Sequence, residues 1–388
     1  MGFKLRPGTS VFGNVTFTPG TNENYVGPPV PSMYMVVGGW AGSKVFIYDV
    51  NDLTKSPIEV EQSTDSTMFG HKIAVYGNMI YAADPYNYPS YIYVYNIDDL
   101  SSGPTILNSP TGNNDSTYFG MDMSVDEDHL VVSEYGTDTF YVYDRNNLLS
   151  EPVSKTTTDS SGAISSSGDI IVIGSSSESP RGLYSGRAYI LNKNNMSSNG
   201  GGGIDSITPN DGSRFDFFGV DVATDGNIIA ISAFRDNESG SVYIYDATDY
   251  SYHQYKLTGP SGYTNDSSNF GYSLDFSDNH LVVGSPGKTG NRGTAWVYDK
   301  NDFSVAPIQL MPSELDEQDR FGEKVSVNND VIVVGARRDD DAGNNLGAVY
   351  VYDATNLSSE PIKIINGNAT TEFGWSVAVD PVPAPAPT

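Results

Sequence analysis

The hydrophobic residues of this chain fall into short runs that repeat in a unit of roughly fifty residues. The repeat is clearest near the C-terminus, where a Phe-Gly pair opens residues 321–327 and apolar runs follow at 331–335 and 350–353. The runs are rich in Val, Ile and Tyr, several alternate between apolar and polar positions, and Gly, Asn, Asp and Ser bound them. Such runs are typical of β-strands, and no stretch shows the sustained period of an amphipathic helix. A Pro-Ile segment after the closing run, such as Pro361-Ile362, gives each unit four predicted strands.

Two series of motifs count the units independently. Phe-Gly pairs open six units, and a degenerate Ser-Gly copy at residues 161–162 fills the one gap; the pairs begin at Phe69, Phe119, Phe218, Phe270, Phe321 and Phe373. Aromatic strands ending in Asp or Asn close seven units, at residues 46–49, 93–96, 141–144, 189–192, 243–246, 296–299 and 350–353. Four-stranded units of this length predict an all-β fold, a seven-bladed β-propeller of antiparallel blades. Alternation along the closing strands predicts that one tyrosine enters the core and its neighbour points outward.

The two ends of the chain predict how the ring closes. The last Phe-Gly unit has no strands after it, and the unit at residues 33–60 has no ordinary opening strand directly before it. Residues 373–380 are therefore predicted to supply the innermost strand of the blade completed by residues 33–60, which removes exposed sheet edges. The pair Phe12-Gly13 is an alternative for that position. The predicted organisation is an irregular arm over residues 1–32, a propeller over 33–380 and a Pro-rich tail or linker over 381–388.

The repeat resembles the FG-GAP family, whose best-known member is the seven-bladed propeller of integrin α subunits. The resemblance covers residues 33–380 and lies in the Phe-Gly pairs, in second strands that end as Gly335-Ala336 does, and in the Tyr-Val-Tyr-Asp strand. Integrin-type blades carry an Asp-rich calcium loop between their first two strands. Here that turn is only two or three residues long, as within residues 125–130, and cannot wrap a cation with six or more oxygens. The likeness is closer to short-turn repeats of microbial and viral surface proteins, and the integrin metal sites do not carry over.

Composition narrows the setting in which such a propeller works. The formal net charge is −27, with 48 acidic and 21 basic residues, which argues against nucleic acid and anionic membranes as partners. There is no cysteine, and no segment has the length of a membrane span. The N-terminus lacks the apolar core of a signal peptide. These features, with the resemblance, predict a virion surface or extracellular location. Residues 1–32 and the Pro-rich tail are predicted to contact neighbouring structural proteins, although both could instead be disordered ends.

Aromatic residues between the second and third strands mark a candidate binding face. They are Trp40, Tyr86, Tyr88, Tyr135, Tyr184 and Phe234, and the arginines beside them or in the equivalent loop are Arg235, Arg337 and Arg338. Exposed rings next to polar groups are typical of carbohydrate or protein recognition. The alternative is that these rings only pack the loops.

One acidic loop is a candidate metal site. Asp339, Asp340 and Asp341 follow a second strand, and three carboxylates with nearby backbone carbonyls could bind Ca²⁺. The alternative is a solvated turn whose charge is neutralised by Arg337 and Arg338. No other cofactor is expected.

The sequence predicts a non-enzymatic interaction head, a virion surface or fibre protein that binds a host glycan or protein receptor through its loops. No Ser-His-Asp order, phosphate-binding loop or HExxH motif is present, so no catalytic residue is predicted. Two other functions stay open. One is a purely structural virion or extracellular-matrix component; the other is a polysaccharide hydrolase or lyase, whose acid pair could not be told from surface carboxylates.

Overall fold

A computed structural model describes residues 10–11, 33–40, 43–62, 68–112, 117–157, 162–193, 204–259, 268–328, 330–341, 343, 345–366 and 372–381. Seven antiparallel sheets of four strands form a ring, and a fifth strand joins one of them. The innermost strands line a central channel. The prediction of a seven-bladed all-β propeller is confirmed.

The strands follow one another blade by blade along the chain. A short strand, β1 (Ser10–Val11), precedes blade 1, which holds β2 (Met33–Gly38), β3 (Lys44–Asp49) and β4 (Ile58–Glu61). Blade 2 holds β5 (Ile73–Tyr76), β6 (Met79–Asp84), β7 (Tyr91–Asn96) and β8 (Thr105–Asn108), and blade 3 holds β9 (Tyr118–Val125), β10 (His129–Tyr135), β11 (Thr139–Asp144) and β12 (Val153–Thr156). Blade 4 holds β13 (Ile164–Ser167), β14 (Ile170–Ser175), β15 (Arg187–Asn192) and β16 (Asp205–Ile207), and blade 5 holds β17 (Phe218–Thr224), β18 (Ile228–Ala233), β19 (Ser241–Asp246) and β20 (Tyr255–Thr258). Blade 6 holds β21 (Ser273–Phe276), β22 (His280–Ser285), β23 (Thr294–Asp299) and β24 (Ile308–Leu310). Blade 7 holds β25 (Lys324–Val327), β26 (Val331–Ala336), β27 (Ala348–Asp353) and β28 (Ile362–Ile365), and β29 (Ser376–Pro381) completes blade 1.

The helices are short segments of one or two turns in the connections. Those described are the 3₁₀ turns Val50–Asp52, Ile97–Ser102, Arg145–Asn147 and Asp236–Glu238, and one α-helical turn, α1 (Lys288–Asn291).

The ring closes through its C-terminal strand. β29 pairs antiparallel with β2 over six residues, from Ser376 opposite Gly38 to Pro381 opposite Met33. It is the innermost strand of blade 1, as the sequence predicted. Phe12-Gly13, the alternative for this position, lies outside the described residues. The described part of the N-terminal segment instead places Ser10–Val11 parallel to β28, as a fifth strand on the outside of blade 7.

The Phe-Gly pair and the closing strand form the core between blades. Phe321 is fully buried and packs edge-on against Tyr350, with ring centroids 5.2 Å apart. Gly322 has a φ of +86°, and a Cβ there would lie 2.3 Å from the carbonyl oxygen of Thr294, so only glycine fits. The prediction that one tyrosine of each pair points outward is wrong. Tyr350 and Tyr352 are 0% and 4% exposed, because residues two apart share a face and the neighbouring blade 6 covers that face.

Polar residues on the innermost strands join neighbouring blades. The Ser376 hydroxyl accepts a hydrogen bond from the Ile73 N–H at 3.0 Å, between blades 1 and 2. The Asp221 carboxylate accepts one from the Leu274 N–H at 2.8 Å, between blades 5 and 6. Adjacent inner strands belong to different sheets and form no backbone hydrogen bonds with one another as paired strands do. These side chains therefore provide acceptors for backbone N–H groups at the sheet edges that line the channel.

Asp275 makes the same kind of contact between blades 6 and 7. It should make the free energy of unfolding depend on pH. Its carboxylate accepts a hydrogen bond from the Val327 N–H at 2.8 Å, and burial in the channel raises its pKa from 3.8 to about 6. The folded state therefore holds this proton more tightly than the unfolded chain. The stability that it contributes is fully present below the unfolded pKa and is lost as the pH rises through about 6.

We expect Asp275→Asn to remove this dependence. The free energy of unfolding of the wild type relative to the variant should fall by about 1–3 kcal/mol between about pH 4 and pH 6.5, measured by urea denaturation. The exposed Asp302 is the control, because the Ser304 hydroxyl lowers its pKa and Asp302→Asn should show no loss over this interval. A wild-type to Asp275→Asn difference that stays constant with pH would contradict the assignment.

Candidate functional site

All six predicted loop aromatics lie on one face of the ring, here called the upper face. It carries the connections between second and third strands and those that lead into the innermost strands. The two sets share a face because strand direction alternates within each blade. The short turns between first and second strands lie on the lower face.

A first arc of aromatic rings crosses blades 1 to 3 on the upper face. Its members are Trp375, Trp40, His71, Tyr86, Tyr118 and Tyr135. The Trp40 ring centroid is 4.3 Å from that of Trp375 and 5.4 Å from that of His71. Tyr86 continues the arc, 5.3 Å from His71 and 5.1 Å from Tyr118. Such tilted and edge-on contacts fix the rings in place.

A second arc crosses blades 4 to 6. Its members are Tyr184, Phe215, Phe217, Phe234 and Tyr272. Tyr184 and Phe217 are nearly parallel, with an interplanar angle of 8° and centroids 5.6 Å apart. Phe234 lies 5.4 Å from Phe217 and 5.7 Å from Tyr272. We call the two arcs together the aromatic collar; it presents partly exposed rings around the channel mouth.

Blade 7 contributes charged groups between the two arcs. The Arg337 guanidinium lies 4.6 Å from the centroid of the Trp375 ring. Its Nε donates to Glu323 at 2.6 Å and its Nη1 to Glu372 at 2.7 Å. The two carboxylates therefore neutralise the charge of Arg337, and its guanidinium supports the first arc through the Trp375 ring. Arg338, half-buried in the same loop, donates its backbone N–H to the carbonyl of Asp319 at 3.3 Å.

Tyr88 belongs to the same loop as Tyr86 and is the most exposed of the predicted aromatics, at 62%. Its backbone N–H donates a hydrogen bond to the side-chain oxygen of Asn87 at 2.9 Å, which shapes the loop locally. Tyr88 thus widens the upper face beyond the collar.

Burial keeps the imidazole of the first arc uncharged at neutral pH. The pKa of His71 is lowered to about 4, first by burial and then by the nearby ammonium groups of Lys324 and Lys72. Burial also raises the pKa of the Tyr86 phenol, and Tyr118 and Tyr135 add to that shift. The first arc therefore offers neutral rings to a ligand.

The predicted metal ligands do not converge as a set of three. Asp339 is turned into the protein, 1% exposed, where it accepts a hydrogen bond from the Tyr350 hydroxyl at 2.9 Å and pairs with Lys363 at 2.7 Å. Lys363 also pairs with Asp341 at 2.6 Å, so a lysine and not Arg337 or Arg338 neutralises the loop. Exposed carboxylates of Asp340 and Asp341 lie instead near Asp316, within 4.8 Å of one another. This corrects the predicted grouping, because the sequence did not reveal that Asp339 points inward to a lysine on the fourth strand of the blade, β28.

Sequence reasoning missed about half of the collar. The missed residues flank the Phe-Gly pairs: His71, Tyr272 and Trp375 directly follow the glycine, Tyr118 and Phe217 directly precede the phenylalanine, and Phe215 lies two residues further back. A usable signal was present, since an aromatic next to a Phe-Gly pair lies at the strand end on the upper face.

A second concave feature lies on the outer flank, between blades 4 and 5. This cleft has a volume of about 460 Å³ and includes Arg181, Tyr250, Tyr252 and His253 in its lining. The Tyr250 hydroxyl donates to Asp205 at 2.5 Å across the cleft. It is separate from the aromatic collar.

Comparisons with known proteins match this architecture. A family model described as FG-GAP repeat matches residues 204–245 and 308–352. A chain of the mitotic checkpoint complex superposes with a TM-score of 0.54 at 15% identity, covering 95% of this chain and 92% of that one. The WD40 repeats of RRP9 give 0.52 at 10% identity, covering 79% and 83%, and U3-55K gives 0.51 at 10%, covering 79% and 84%. At these identities the likeness concerns the fold alone. No curated protein sequence matches significantly. None of the helices in the described part of the chain has the length and apolarity needed to cross a membrane.

Proposed function

We propose that this chain, an FG-GAP β-propeller, is an interaction or adhesion-type domain that serves as a non-enzymatic binding head on a virion or cell surface. It contacts a glycan or protein receptor through the aromatic collar. Residues outside the ring attach the head to neighbouring structural proteins.

The observation that carries this proposal is the aromatic collar. Tyr86, Tyr135 and Tyr184 are 42%, 44% and 39% exposed, although each is held against another ring. Rigid, partly exposed aromatic side chains supply large contact areas at little cost in conformational entropy, and they are enriched in binding surfaces. Tyrosines that served only to pack the loops would be covered.

We expect the double variant Tyr86→Ala/Tyr135→Ala to weaken binding to the receptor by about tenfold or more, because it removes two exposed rings of the first arc. Binding of the wild type is established first on a glycan array and on cells, with and without Ca²⁺. The affinity of the variant for the target found there is then measured. Both side chains are more than 40% exposed and lie outside the cores between blades, so thermal unfolding should change little.

Tyr252→Ala is the matched control, since Tyr252 is 60% exposed but lies in the cleft on the outer flank. Its affinity should equal that of the wild type. If Tyr252→Ala weakens binding and the collar variant does not, the binding surface is the flank. A wild-type protein that binds no glycan and no cell would contradict the proposal and favour a purely structural component.

A further inference from the structure

Two arginines beside the second arc of the collar are placed differently from the other charged groups of the upper face. The Arg235 guanidinium lies 5.4 Å from the centroid of Phe217 and 5.3 Å from that of Phe234. The Arg214 guanidinium lies 4.7 Å from the centroid of Phe215. Both arginines are exposed. Each guanidinium is thus held on an aromatic face while part of it remains open to solvent.

Three carboxylates close to these arginines in the sequence are engaged elsewhere. Asp211 and Asp236 pair with the Lys256 ammonium at 2.5 Å and 2.7 Å. Asp216 is buried and accepts a hydrogen bond from the Ser213 N–H at 2.5 Å. The ion pairs within 4.0 Å among the described residues include neither Arg214 nor Arg235. In a chain with a net charge of −27, the guanidinium groups of Arg214 and Arg235 therefore remain exposed to solvent.

The rings that carry these arginines are held in a fixed arrangement. Tyr184, Phe215 and Phe217 have φ values of 55°, 69° and 55°, a left-handed conformation that bulky residues seldom adopt. Backbone hydrogen bonds between the two loops maintain it, from the Phe215 N–H to the Leu183 carbonyl at 2.9 Å and from the Phe217 N–H to the Tyr184 carbonyl at 3.0 Å. Tyr184 and Phe215 are each 39% exposed as a result. A ligand would therefore meet a platform that needs little reordering.

We propose that this platform binds an anionic saccharide, a sugar unit that carries a carboxylate or a sulfate. This inference rests on the proposed function and specifies its ligand class. The apolar face of a sugar ring packs on Tyr184 or Phe215, and its anionic group accepts paired N–H bonds from Arg214 or Arg235. Charge attraction alone would suit an acidic peptide equally well. The exposed rings beside the guanidinium groups favour the flat, apolar face of a sugar.

The test compares ligands that differ only in charge. Polygalacturonate is compared with its methyl ester, and dextran sulfate with dextran, by titration calorimetry with the full chain. We expect the wild type to bind at least one anionic polymer at least about tenfold more tightly than its neutral counterpart. The carboxylated and sulfated arms identify which anionic group is preferred. Binding of polyglutamate as tight as that of the polysaccharide would overturn the inference in favour of an acidic peptide.

The variants locate the site. Arg214→Gln/Arg235→Gln should weaken anionic binding by about tenfold or more, and Tyr184→Ala should weaken it while the arginines are intact. Arg145→Gln is the matched control, because Arg145 also stacks on a ring, 4.5 Å from Tyr76, but lies on the lower face. Unchanged binding by the double arginine variant, or equal binding of charged and neutral polymers, would overturn the inference. Loss of cell binding only in Tyr86→Ala/Tyr135→Ala would then leave the proposed function standing.

Discussion

Replacing Phe373 with alanine is expected to lower the free energy of unfolding by about 3–5 kcal/mol. Phe373 is fully buried, and its ring lies 5.6 Å from Phe46 and 6.3 Å from Tyr48, so it joins the C-terminal segment to strand β3 of blade 1. Alanine would remove these contacts and leave a cavity where the two ends of the propeller meet. Chemical denaturation followed by tryptophan fluorescence measures the change.

Phe321→Ala is the matched comparison, because Phe321 is equally buried at an ordinary junction between blades 6 and 7. Similar losses for both variants would mean that the closure packs like the rest of the ring. Leu149→Ala, at a side chain 79% exposed, should leave the stability unchanged. If Phe373→Ala costs far less than Phe321→Ala, the closing strand does not hold the ring as described.

Replacing Lys363 with methionine is expected to destabilise the protein by about 3–5 kcal/mol, because it leaves buried carboxylates without their charged partner. The Lys363 side chain is 4% exposed and pairs with Asp339, which is 1% exposed, at 2.7 Å. Asp319 lies in the same cluster, where burial, and then Asp339, raises its pKa to about 6. Methionine keeps a similar volume but removes the charge and the hydrogen-bond donors of the ammonium group. Urea denaturation at pH 7 measures the loss.

Adding Asp339→Asn to Lys363→Met should recover much of that stability, because the amide stays uncharged and can still accept the hydrogen bond from Tyr350. Lys44→Met is the surface control, since Lys44 pairs with Glu59 at 2.9 Å in an exposed position where ion pairs contribute little. A double variant as unstable as Lys363→Met alone would show that packing, and not charge, is what Lys363 supplies.

The fold could be predicted from the sequence because the repeat is encoded locally. Each Phe-Gly pair marks the start of an inner strand, and each aromatic run ending in Asp or Asn marks a third strand, so counting them gave the number of blades and the closing strand. The burial of both tyrosines was not predicted. Alternation describes one sheet, whereas Tyr350 and Tyr352 are covered by the neighbouring blade.

The candidate site was predictable only in part. Loop position identified Trp40, Tyr86 and Phe234, since any residue between second and third strands lies on the upper face. Which rings touch depends on how neighbouring blades pack against one another, and the sequence of a single repeat does not determine that packing. The acidic loop shows the same limit, because the partner of Asp339 is Lys363, on a strand that begins more than twenty residues later.

The register of the closing strand also bears on how the proposed binding head would be oriented. Ser376 pairs with Gly38 next to the collar, whereas Pro381 pairs with Met33 at the lower face. The two backbone positions at which the described ring ends therefore lie together on the side away from the collar. A support joined there would hold the molecule by its base, and the rings of the upper face would point away from the support, toward an approaching surface.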